Sequence, residues 1–103
     1  MARAELEQDY LALVKERLPA LARTEGWVLR ADHCFGRVLL DHAVGGCWYD
    51  VLDRRRPAYR QLTDEQLASA VALGGQLIAH GDLLLRDLDD QSLRWRGKRP
   101  KAR

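Results

Sequence analysis

Apolar residues recur at steps of three and four through the first part of the chain: Leu6, Tyr10, Leu13, Val14 and Leu18 fall on one side of a helix spanning residues 3–18. Acidic residues lie early in that span and Lys15 and Arg17 late, which suits the helix dipole. Pro19 has no amide hydrogen, so the helix either kinks there or restarts with Pro19 in a first turn that ends near Arg23, before Gly26. Residues 27–30 form a short apolar connector. Asp32 is placed to cap a second helix over residues 33–44, whose Phe35, Val38, Leu39 and Ala43 face the core, and Gly45 stops it. Residues 47–53 predict a further turn, with Trp48, Val51 and Leu52 turned inward.

The second half opens on Asp53-Arg54-Arg55-Arg56-Pro57, where three like charges and a proline predict a surface connector. LTDEQL then carries a capping box: Thr63 caps, Gln66 returns the bond, and Leu62 staples onto Leu67. The helix that follows buries Leu67, Ala70, Val71, Leu73, Leu77 and Ile78 and stops at Gly81. Gly74-Gly75 inside it predicts the close approach of another helix, since each glycine costs about 1 kcal/mol of helix stability. Asp82 is placed to cap a last helix through Leu83, Leu84, Leu85 and Leu88, with one more packed stretch at residues 92–95.

These elements predict an all-α fold, a compact bundle of four to five helices in one domain over residues 1–95, followed by a flexible basic tail at 96–103. The chain length of 103 residues suits a single core, and 47% hydrophobic with 31% charged residues is globular composition. The net charge of +2 conceals an uneven spread. Six basic and no acidic residues lie between Arg94 and Arg103, which leaves 11 basic against 15 acidic residues in 1–93. No apolar run is long enough for a membrane span, acids precede any apolar run at the N-terminus, and two cysteines do not make a disulfide framework. The expected location is the cytoplasm.

Unlike chemistries crowd residues 32–53, which hold His33, His42, Cys34, Cys47 and a Trp-Tyr pair. A zinc site would draw on Cys34, His42 and Cys47 with His33 or Asp41, but eight residues of helix part Cys34 from His42 by about 12 Å, so no metal or cofactor is expected. A small enzyme or enzyme subunit would use His33, Arg37, Asp41 and Cys47, with Cys47 as nucleophile and a histidine as its base. The plainer reading of His33, Arg37 and Asp41 is a polar stripe on the helix surface, with Arg37 and Asp41 paired. No phosphate-binding glycine motif follows either Gly-Gly step. Basic residues interleaved with an aromatic suit a nucleic acid or an acidic protein partner: Arg94, Trp95, Arg96, Lys98, Arg99 and Lys101 in the tail, extended by Arg54, Arg55, Arg56 and Arg60 where the fold brings them close. The leading expectation is a small binding or adaptor module.

Overall fold

The structure, a computed structural model, describes residues 2–98, and every regular element among them is helical. Helix α1 spans Arg3–Ala12 and continues without a break through a π-helical turn, Leu13–Arg17, into α2, Leu18–Glu25. The π turn resolves the two alternatives that Pro19 leaves open. Proline cannot donate to the carbonyl of Lys15, and its ring crowds that carbonyl. The chain therefore widens one turn, with the Leu18 amide donating five residues back to Leu13, and the rod runs on. Gly26 closes α2 in the left-handed region, φ 69°, and the amides of Gly26 and Trp27 both donate to the Ala22 carbonyl.

Helix α3 spans Asp32–Val44, and a single 3₁₀ turn, Trp48–Asp50, follows it. The short α4 is Ala58–Gln61, the long α5 is Asp64–His80 and α6 is Asp82–Trp95. Phe35, Leu39, Leu18, Leu67, Leu77 and Leu85 are fully buried and bring α2, α3, α5 and α6 onto one core, with Trp27 set edge-on to Phe35. The capping box forms: the Gln66 amide donates to Thr63 Oγ1 at 3.1 Å and the Thr63 amide donates to Gln66 Oε1 at 2.9 Å. The close approach occurs at Gly74, where an added Cβ would stand 2.8 Å from Leu13 Cδ1 in the π turn, whereas Gly75 faces open space.

Three local expectations differ from the structure. Ala31, not Asp32, is the N-cap of α3, and the Asp32 carboxylate accepts from the adjacent His33 amide. Asp82 caps nothing. It accepts from the Val28 amide at 2.8 Å and pairs with Arg86, so it ties the connector after α2 to the start of α6. Val51, expected inside, is exposed. Arg3, which drew no attention in the sequence, spreads its guanidinium over the carbonyls of Tyr59, Arg60 and Leu62 and so satisfies the C-terminal end of the one-turn α4. No helix among the described residues is long and apolar enough to cross a membrane.

Candidate polyanion interface and the buried network behind it

Helix α3 turns 100° per residue, so a stripe stepped by four drifts 40° at each step. His33 is therefore at the surface with its side chain 83% exposed, Arg37 is at the boundary, and Asp41 faces the core with no exposure at all. The expected pair of Arg37 with Asp41 does not form. Arg37 instead donates through Nη2 to Asp89 on α6 and through Nη1 to the Ser92 hydroxyl at 2.8 Å. Ser92 in turn donates to Asp41 Oδ2 at 2.6 Å.

Arg96 completes the network. Its Nε donates to Asp41 Oδ2 at 2.8 Å and its Nη2 to Oδ1 at 3.0 Å, a two-pronged pair that leaves the arginine side chain only 8% exposed. Arg96 thus belongs to the packed end of α6 and not to a free tail. The hydrogen bonds it donates to Asp41 raise the Arg96 pKa further above its already high ordinary value, so the guanidinium stays charged. Two acids and two arginines neutralise one another across the α3–α6 seam, bridged by one hydroxyl. Burial of ionised groups is tolerated only with this degree of pairing.

The same carboxylate positions the surface. Asp41 Oδ1 accepts from the Trp48 amide at 3.0 Å, while the Asp41 backbone carbonyl accepts from both Gly45 and Gly46. The sharp exit from α3 and the 3₁₀ turn are therefore anchored at one residue, and the turn presents Tyr49 beside the end of α6. The Arg54 guanidinium lies 3.8 Å from the Tyr49 ring centre and that of Arg96 lies 4.5 Å from it, while Trp48 meets the same ring edge-on. Cys47, Tyr49, Asp50, Trp95, Arg96 and Lys98 line a cleft of about 270 Å³ next to these cations.

The connector holding Arg54 is a folded loop. Gln61 accepts from the Asp53 amide at 2.8 Å and donates to the Asp53 carbonyl at 2.8 Å and to the Arg56 carbonyl at 3.3 Å. Asp53 accepts from the Arg55 amide at 2.9 Å, a bond that holds its carboxyl below the usual carboxylate range, and Arg55 folds back on it. Arg56 is exposed beside this loop and Arg94 is exposed on α6. Arg60 stands apart, over the ring of Tyr59. Arg99 and Lys101 lie outside the described residues.

The other sequence candidates separate. His33, Cys34 and Arg37 line one cleft with Asp89, Cys47 lines the one beside Tyr49, and Asp41 lines neither. His42 meets the Leu88 carbonyl through Nε2 at 2.9 Å, so that nitrogen carries the proton, and its ring meets Trp95 edge-on. Both cysteines are free thiols, and among the described residues no group of three or more histidine, cysteine or acidic side chains could hold a metal ion.

Asp89, which reads beside Asp90 as a solvated carboxylate, is instead buried against Arg37, and Ser92 and Tyr49 are site residues that the sequence does not single out. A signal for the first two was present: Leu85, Asp89, Ser92 and Leu93 follow core spacing on α6, so two polar residues occupy inward positions and demand polar partners. Comparison of the chain with protein-family models, with curated proteins and with solved structures finds no match.

Proposed function

We propose that this protein is a small binding module whose interface is the cationic, aromatic surface around Tyr49, and that its ligand is nucleic acid. The supporting observation is the meeting of Arg54 and Arg96, from segments far apart in sequence, on one tyrosine ring that stays 41% exposed. Trp95 and Lys98 line the adjoining cleft, and the chain continues from there into Arg99 and Lys101. With Arg96 holding one side of the ring from within, the exposed Arg54 guanidinium on the Tyr49 ring presents a flat, charged surface on which a base can stack while Lys98 meets a flanking phosphate.

The rival reading, an enzyme built on His33, Arg37, Asp41 and Cys47, calls for a shared concave site. His33 and Arg37 share one cleft, but Cys47 lines another, and Asp41 lines neither and is fully engaged with Ser92, Arg96 and the Trp48 amide. That dispersal favours the binding module.

The test is a salt titration of binding to a short single strand and a short duplex. It compares the natural chain with a chain ending after Gly97, which lacks Lys98, Arg99, Lys101 and Arg103 and retains Arg96. Loss of four phosphate contacts flattens the log–log dependence of duplex affinity on salt by about 3–4, and by less on the single strand. Absence of binding at low salt, or equal slopes for the two chains, overturns the nucleic-acid reading and leaves an acidic protein as the partner to test.

A further inference from the structure

Away from the cationic surface, a cleft of about 290 Å³ opens where α1 and the π turn meet the start of α3 and α4. Tyr10, Val14, Gly36, Leu40 and Tyr59 supply its walls, and Lys15 and His33 are exposed at its edge. Asp32 joins them at the rim, and the inner walls are apolar apart from the Tyr10 hydroxyl. Tyr10 is only 4% exposed, and its hydroxyl meets no hydrogen-bond partner among the described residues. Gly36 keeps the opposite wall open: a Cβ there would stand 3.9 Å from the Tyr10 oxygen and 3.8 Å from Val14. Tyr59 stacks on Tyr10 with ring centres 5.6 Å apart and planes 23° from parallel, so an aromatic surface continues from the buried ring to the cleft wall.

The Tyr10 hydroxyl meets no protein partner but opens onto the cleft, where water or a polar group of an occupant can hydrogen-bond to it. Burial also pushes the Tyr10 pKa up, so the phenol stays protonated and can both donate and accept. The volume suits one aromatic ring or two fused rings, and the opposite charges of Lys15 and Asp32 at the rim offset each other, so the cleft holds no net charge to balance an ionic ligand. We propose that this cleft binds a small planar aromatic molecule bearing one uncharged hydroxyl, carbonyl or ring N–H group, which hydrogen-bonds to Tyr10. This site stands independently of the nucleic-acid reading.

The experiment uses 4-methylphenol and toluene as probes, titrated separately into the isotopically labelled full chain and followed through its backbone amide resonances. Saturable shifts at Gly36, Ala58 and Tyr59 are expected with both probes. Tyr10→Phe keeps the ring and loses a hydroxyl that holds no partner, so the variant stays folded. It binds 4-methylphenol about tenfold more weakly and toluene as well as before. Gly36→Val fills the cleft and abolishes both titrations. If 4-methylphenol produces no saturable shift at these amides, or Tyr10→Phe binds it as tightly as the natural chain, the proposal is overturned.

Discussion

Removing either member of the Asp41–Arg96 pair provides the sharpest check on the buried network. Asp41 is wholly enclosed and its carboxylate accepts four hydrogen bonds: two from Arg96, one from Ser92 and one from the Trp48 amide. Removing one member of a buried ion pair costs about 3–5 kcal/mol, chiefly because the other charge is left enclosed without its counterpart. The two halves of the pair are not equivalent. In Asp41→Ala the long Arg96 side chain, at the end of α6, can swing its guanidinium toward water, so the loss falls near the lower end, about 3 kcal/mol. In Arg96→Ala the carboxylate sits on a short, wholly enclosed side chain in the last turn of α3 and cannot reach solvent, so the loss is at least as large. The double variant relieves both stranded charges, and it is less destabilised than the sum of the single variants by about 2 kcal/mol. Urea denaturation at neutral pH measures all three, and raising the salt concentration to about 0.5 M leaves the coupling nearly intact, since enclosed charges are screened little. Additive losses within about 0.5 kcal/mol, or a loss below about 1 kcal/mol in Asp41→Ala, would refute the network as described.

Two further outcomes follow from the packing. Gly75→Ala stabilises the protein by about 0.5–1 kcal/mol, because an exposed helical glycine gains propensity and meets nothing, while Gly74→Ala forces Leu13 aside and is destabilising; equal stability of the two in a thermal melt would remove the contact between the π turn and α5. Burial raises the Tyr10 pKa above its usual value near 10, so its contribution is intact below about pH 10 and is lost above it, as the unfolded chain releases its proton first. Stability therefore falls by up to about 1.4 kcal/mol per pH unit from this group alone, and a pH series of urea melts in which Tyr10→Phe shows the same alkaline slope as the natural chain would refute it.

Much of the fold was legible along the chain because local rules governed it. The capping box at Thr63 and Gln66 lies within four residues, and Gly26, Gly45 and Gly81 stop helices where a positive φ is needed. The close approach at the Gly74 step was readable as well, because glycine in a helix interior is unfavourable unless something fills the space its missing side chain leaves. A proline after an amphipathic run announced a disturbance, although whether the rod would kink, restart or pass through a π turn depended on packing that no local rule contains.

The polar residues were different. Asp32 and Asp82 have the right chemistry for caps, yet one accepts from its neighbour and the other from a connector more than fifty residues away, since a carboxylate takes whichever amide the fold delivers. Arg37 and Asp41 satisfy helical ion-pair spacing, but Asp41 has rotated into the core and α6 offers each of them a better-placed partner. By itself the sequence determined the helices, their stops and the apolar faces that join them, because those depend on backbone geometry and on periodicity within a few residues. Only the tertiary structure decided which charges meet, that Arg54 and Arg96 share one ring, and that the Tyr10 hydroxyl faces a cleft, because each of these depends on elements distant in sequence arriving at the same place.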